Sequence, residues 1–445
     1  LAESSQLPGF SEEFERLNTH RSLSYQSEEN FLMNKKVMAL AVAGVLTAPA
    51  AFAQSSNVQL YGRANLGIDM YSAEGARSQG AVPGDQIDYQ SRTRIFDNGS
   101  RVGLRGTEDL GNGLRAIFQI ESGVNVDNGA TTGQAGTANA SAGTWASRDS
   151  FVGVDSGFGR VTFGRQSIYW ANGELAQFQA NYINLEVPWT NGTQLGRVSR
   201  SQTVNGQVIG PVARQSNVVA YTTPTFSGFN ATLSYSPNAG EAVQHNLTTG
   251  TNTDGAVWGA TVRGAIASFH GQFDYVQNEG NGPNSGAASQ VTPKFTGYKA
   301  GLGWKYMPGA NLSFIWVRSE NNAAFGETIG TKVNQNGYTI NWEHTFGNIQ
   351  AMAQYGWLDN MKGCTGAVGT IGCSDTKATA YMVGARYLLS KRTWLYATYN
   401  LVDNKNNNFS DYTGASMTSV AGNGAVLLPM GADPEVWALG VFHAF

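Results

Sequence analysis

Arginines on the polar side of alternating segments are the residues of this chain best placed to act on other molecules. Arg63 lies within 57–70, where Val58, Leu60, Ala64, Leu66, Ile68 and Met70 share one parity. Gln59, Tyr61, Arg63, Asn65 and Asp69 take the other. Arg101 and Arg105 share a parity opposite Val102 and Leu104. A guanidinium stays protonated at any working pH, so these positions carry fixed positive charge. Along a narrow wet passage with low-dielectric walls, a few fixed charges decide which ions are preferred.

Bond-making chemistry has no comparable support. Nucleophilic catalysis needs a positioned nucleophile and base, yet no G-x-S-x-G occurs and His245, His270, His344 and His443 are scattered. No enzymatic activity is therefore expected. Cys364 and Cys373 are the only cysteines and stand nine apart in a Gly-rich stretch, as in an oxidised loop staple. A zinc site would need two further ligands, and no histidine is near. Neither a metal nor a cofactor is expected.

The elements that hold these arginines are strands. Period-two alternation over more than ten residues marks a strand with one apolar and one polar face. Soluble strands usually stop at about five or six residues, whereas crossing an outer membrane takes about 9–11. The pattern recurs in the row Tyr298, Ala300, Leu302, Trp304 and Tyr306, and in Tyr338, Ile340 and Trp342. It returns in Ile349, Ala351, Ala353, Tyr355 and Trp357, and in Tyr381, Val383, Ala385, Tyr387 and Leu389. Aromatics gather toward row ends, as interfacial girdles require.

Tight turns such as 156–159, 224–228, 308–309, 346–348 and 390–391 alternate with long polar stretches, the longest near 168–213. Short turn, long loop, short turn is the asymmetry of an outer-membrane barrel. Sixteen apolar segments can be counted, although counting alone also admits fourteen or eighteen. Backbone groups must all pair in lipid, so the sheet must close, and sixteen strands enclose an aqueous channel. The expected fold is thus all-β, a transmembrane antiparallel β-barrel of 16 strands.

Composition agrees. Of 445 residues only 14% are charged, 41% are hydrophobic and 55 are Gly, against about 25% charged and about 7% Gly in average chains. No run of about 20 apolar residues exists, which excludes helical membrane bundles. A net charge of −3 offers no basic surface for nucleic acid.

The first residues follow other rules. Met33 opens a basic head, Asn34-Lys35-Lys36, followed by an apolar core over 37–46 and the small-residue tail Ala51-Phe52-Ala53. That order reads as an export signal over 33–53. Residues 1–32 are expected to be a non-native or mis-started extension, and 54–445 the barrel domain. The last strand carries Trp437, Leu439, Val441, His443 and Phe445 on one parity and ends on Phe445. A terminal Phe there looks like a recognition tag for the barrel-assembly machinery.

With these features in place, the chain resembles the Gram-negative general porins, most closely the trimeric porins of β-proteobacteria. The likeness rests on Val58-Gln59-Leu60-Tyr61-Gly62-Arg63, on Ser100-Arg101-Val102-Gly103-Leu104-Arg105-Gly106 running on to Glu108-Asp109-Leu110-Gly111, and on Phe158-Gly159-Arg160-Val161-Thr162-Phe163-Gly164-Arg165-Gln166. Arg214-Gln215-Ser216-Asn217-Val218-Val219-Ala220-Tyr221 and Phe445 complete it. The resemblance implies an outer-membrane homotrimer passing ions and small hydrophilic solutes, with a long third loop folded into the lumen. It also implies that Arg165 and Arg214 belong to a basic wall with Arg63, Arg101 and Arg105. Arg165 shares parity with Val161 and Phe163, and the faces of neither segment separate cleanly. Glu174 and Glu186 on the third loop would face this wall, giving a weak anion preference. The Pro-Glu-Phe-Gly signature of enterobacterial porins is replaced by Gly173-Glu174-Leu175. A substrate-specific channel and an outer-membrane barrel enzyme are the competing readings.

Overall fold

Strand alternation resolves into sixteen antiparallel strands closed on themselves in the computed structural model. It describes residues 57–76, 88–127, 145–168, 198, 202–204, 207–210, 214–237, 245–246, 251–252, 255–280, 292–324, 327–365, 372–411 and 428–445. The strands are β1 (Asn57–Glu74), β2 (Tyr89–Asp97 continued as Arg101–Gly111), β3 (Leu114–Gly123), β4 (Ser150–Ser156), β5 (Gly159–Ser167), β6 (Arg214–Thr222), β7 (Phe229–Ser236) and β8 (Ala256–Ile266). They continue as β9 (Phe269–Glu279), β10 (Lys294–Met307), β11 (Ala310–Asn321), β12 (Val333–Phe346), β13 (Ile349–Leu358), β14 (Ala378–Leu388), β15 (Thr393–Asn404) and β16 (Asp433–Ala444). Two small hairpins, Gln202–Val204 with Gln207–Ile209 and His245–Asn246 with Thr251–Asn252, stand outside this sheet.

Each strand pairs with its sequence neighbour, and β1 closes the ring against β16 from Arg63↔Ala444 to Glu74↔Asp433. Beyond that ladder, Gly62 and Phe445 exchange both backbone hydrogen bonds at 3.1 Å. β2 is one strand in two halves. Its first half pairs Leu66–Ala73 of β1 and its second pairs Asn57–Arg63. The interruption at 98–100 contains Gly99 at φ +76°, a conformation that favours glycine. Inside it, the Ser100 N–H donates to Asp97 Oδ1 (2.8 Å) and the Asn65 N–H to Ser100 Oγ (2.9 Å).

Outward positions are apolar because lipid gives polar groups no partners. Val58, Leu60, Ile68 and Met70 are exposed along β1, while Asn65, Asp69 and Tyr71 on the opposite parity are buried. Two aromatic belts encircle part of the wall. Toward the long loops lie the cross-strand pairs Tyr235–Trp258, Tyr275–Tyr298, Tyr338–Trp357 and Tyr399–Trp437, with ring centroids 4.2–5.5 Å apart. Toward the short turns lie Phe269–Trp304, Tyr306–His344 and His344–Phe346. Tyr298 and Trp304 on β10 mark both belts, about 20 Å apart along the strand at 3.3–3.4 Å per residue. Among the described side chains, no Tyr or Trp faces outward from β1–β5.

The inward face is less uniformly polar than its alternation predicts. Near the long loops it carries Tyr71, Val257, Val276, Phe295, Val402 and Val436, all buried in one cluster with Ile168, Ile209, Phe409 and Leu428 from the connections. Apolar contact between wall and connections excludes water there, which accounts for the departure.

Candidate functional site

Arg63 stands level with the interruption of β2. Its Nε donates to the Gly99 carbonyl at 2.9 Å, and its guanidinium lies 5.8 Å from the Phe442 ring centre. Its cross-strand neighbour is Arg101. Both side chains share the inward parity, so two like charges are held side by side, an arrangement that ordinarily destabilises a sheet.

Counter-charges explain why it holds. Glu121 on β3 is buried and accepts from Arg148 Nε at 2.5 Å and from Tyr61 Oη at 3.1 Å, with Arg101 Nε at 3.6 Å. Arg148 comes from the connection ahead of β4, where its own N–H is bound to the Glu121 carbonyl at 3.0 Å. The next residue, Asp149, takes Arg214 Nε at 3.5 Å and the Ser167 hydroxyl at 2.8 Å. Close guanidinium groups at low local dielectric repel strongly, and interleaved carboxylates reduce that repulsion.

Arg165 joins through an irregularity. A register shift between Gly164 and Gln166 leaves Arg165 out of step with Val161 and Phe163, whose parity faces lipid. Gly164 sits at φ +146° inside this bulge, and Asn217 at φ +58° breaks the facing strand. Such a bulge inserts one residue and re-aims the side chains beside it. Arg165 then donates Nε to the Ser147 carbonyl (3.0 Å) and Nη1 to Ser216 Oγ (2.9 Å). The bulges are also why the faces of β5 and β6 do not separate in the sequence.

Arg105 lies closer to the short turns. Its Nε donates to Gln59 Oε1 at 2.9 Å, its guanidinium is 5.0 Å from the Tyr61 ring, and a cavity of about 410 Å³ opens between it and Arg160. The result is a connected inner wall in which Arg63, Arg101, Arg148, Arg165 and Arg214 outnumber Glu121 and Asp149. Toward the long loops Arg94 pairs with Asp69 at 3.1 Å and Arg92 lies 5.9 Å from the Tyr71 ring.

Sequence reasoning missed Arg92, Arg94, Arg148 and both carboxylates. Arg92 and Arg94 were visible as a polar parity opposite Ile95, and Glu121 as one opposite Ile120. Arg148 and Asp149 lie in a connection without period and left no such signal. Among the described residues the wall itself thus carries both signs, Glu121 and Asp149 standing among the arginines. Glu174 and Glu186 lie outside the described residues. Two described points of their connection are hydrogen-bonded by the facing wall: Asn321 Nδ2 donates to the Val198 carbonyl (3.0 Å) and Asn278 Nδ2 to the Gly210 carbonyl (3.2 Å). Asn321 and Asn278 belong to the inward parity of β11 and β9, six and four strands on from β5.

Cys364 and Cys373 form a disulfide with Cα atoms 5.5 Å apart. It packs against a small cluster of Val198, Ala324, Val333 and Met361. Among the described residues no group of three or more His, Cys, Asp or Glu could hold a metal ion.

The profile of the Gram-negative porin family matches residues 39–407. A major outer membrane protein P.IB of Neisseria gonorrhoeae is 31% identical over 46% of this chain and 49% of its own length. This chain thus spans about half the length of the first curated relatives it matches. An outer membrane porin protein of Bordetella pertussis is 28% identical over 80% of this chain and 92% of its own. Among solved structures, an anion-selective porin from Comamonas acidovorans superposes with a TM-score of 0.64 at 22% identity, covering 88% of this chain and 100% of that one. At that identity the likeness shows the fold.

Proposed function

The chain belongs to the Gram-negative porin family, and on that footing we propose that it is a general diffusion channel of the outer membrane. Its cargo is ions and small hydrophilic solutes, moving passively through the barrel with a weak preference for anions. The observation that carries this reading is the arginine-rich inner wall of a closed sixteen-strand barrel. Charges at membrane depth mark ion pathways, and the excess of guanidinium over carboxylate sets the sign of the field that an entering ion meets. Arg63, Arg101, Arg105, Arg165 and Arg214 are the proposed lining. The third loop is proposed to fold inward, which the anchors at Val198 and Gly210 support.

A homotrimer is the proposed assembly. Outer-membrane barrels carry aromatic girdles where they meet the headgroups. The Tyr and Trp of both belts here sit on β7–β16, while β1–β5 turn Val58, Leu60, Leu104, Val152 and Phe163 outward. An apolar face without interfacial anchors fits neighbouring protein better than lipid. Export through a signal over 33–53 with a mature start at Gln54, and delivery to the barrel-assembly machinery through Phe445, complete the proposal. N-terminal sequencing of outer-membrane material tests the former.

The decisive experiment is recording from the refolded channel in planar bilayers under a salt gradient. Three equal conductance steps per insertion and a reversal potential on the anion side support the reading. Silent membranes overturn the channel, and clear cation selectivity overturns the preference.

A further inference from the structure

Away from the arginine wall, β10–β13 enclose a second polar site near the short turns. Lys305, Asn311, Glu343 and Gln350 line a cavity of about 500 Å³ that is floored by 307–310. Small-molecule sites occupy roughly 300–1,000 Å³. Asn311 and Glu343 are direct cross-strand neighbours, and all four side chains share the inward parity of their strands.

Two features make this more than a wet surface. Lys305 and Glu343 line the same cavity with opposite charges, and among the described residues neither side chain is within ion-pair distance of the other. Asn311 and Gln350 are 5% and 7% exposed, and the Oδ1 of the first and the Oε1 of the second accept no hydrogen bond. A buried acceptor without a partner costs about 1–3 kcal/mol, so such atoms are normally satisfied. The site therefore offers two amide oxygens and a carboxylate to N–H donors, and Lys305 to an anion, with the Arg386 guanidinium beside Gln350 as a second cation near Glu343.

We propose that this cavity is a binding subsite for small zwitterions carrying one ammonium and one carboxylate, an amino acid or short peptide. The ammonium of the solute sits among Glu343, Asn311 Oδ1 and Gln350 Oε1, and its carboxylate meets Lys305. A neutral polyol leaves both charged side chains unmatched, and a simple anion meets Glu343 as well as Lys305. The inference rests on the channel reading above and adds a solute class to it.

The test uses the refolded channel in planar bilayers at pH 7, with dialanine as the probe. Dialanine is expected to reduce the open-channel current saturably. N-acetyl-dialanine lacks the ammonium and dialaninamide the carboxylate, and each should bind about tenfold more weakly, as for loss of one charge-assisted hydrogen bond. Glu343→Gln and Lys305→Gln should each raise the apparent Kd for dialanine by about the same factor while conductance in plain salt persists. Equal effects of the three peptides, or wild-type affinity in both variants, would overturn the subsite. Normal conductance without any dialanine effect removes the subsite and leaves the channel, whereas an absence of conductance removes both.

Discussion

Arg63 and Arg101 face one another as direct cross-strand partners on the inner wall, at the level where Gly99 interrupts β2. Arg63 is tied to the Gly99 carbonyl, and Arg101 leans toward Glu121. Like charges opposite each other cost a sheet a few tenths of a kcal/mol or more, and in the channel proposed above the pair serves the field it makes. Arg63→Gln should therefore leave the unfolding free energy within about 0.5 kcal/mol of wild type, as electrostatic relief offsets a lost hydrogen bond. It should shift the reversal potential toward cations. Thermal unfolding and bilayer recording on one preparation check both halves.

Glu121 has the opposite role. Glu121→Gln removes the charge that holds Arg101 and Arg148, leaving two guanidinium groups uncompensated. Breaking a fully buried pair costs about 3–5 kcal/mol, and partial access to lumen water reduces this to about 2 kcal/mol. The variant should unfold at lower temperature and become more anion-selective. An unchanged melting transition would show that the carboxylate has no such role.

Gly62 and Phe445 close the barrel seam. A Cβ at Gly62 would overlap the Phe445 ring and approach the Arg101 carbonyl at 2.6 Å. Gly62→Val should lower refolding yield and heat stability by about 1–3 kcal/mol, the range for overpacked sites. Gly157→Ala, where an added Cβ meets nothing within 4 Å, should refold as wild type. Gel mobility of heated and unheated samples reads both.

The face of β1–β5, on which no described Tyr or Trp points outward, predicts where copies meet. Val152 is 60% exposed at the centre of β4, and a charge placed there should disfavour the trimer while the barrel remains. Val152→Arg should migrate as a monomer in light scattering of detergent-solubilised protein. An intact trimer would move the interface elsewhere on the barrel.

The disulfide should act locally. Closing a loop of sequence separation 9 is worth roughly 2–3 kcal/mol by chain entropy. Reduction should therefore raise hydrogen exchange around Ala324, Val333 and Met361 without moving the global transition. Global destabilisation on reduction would refute a local role.

The faces of most strands and the alternation of turn and loop were legible in the amino-acid order, while segment counting left fourteen, sixteen or eighteen strands open until the sheet closed with sixteen. Pleating has a period of two, and lipid enforces it residue by residue, so neither needs knowledge of a distant partner. The placement of Arg63 on one face with Gln59 and Asn65 follows from that period alone. Which charges share a site was decided by tertiary structure. Arg63 meets Arg101 through register, Arg165 leaves its apparent parity through a bulge at Gly164, and Glu121 meets Arg148 from an aperiodic connection. Register, bulges and chain return depend on how the sheet closes as a whole, and a local pattern carries no record of them.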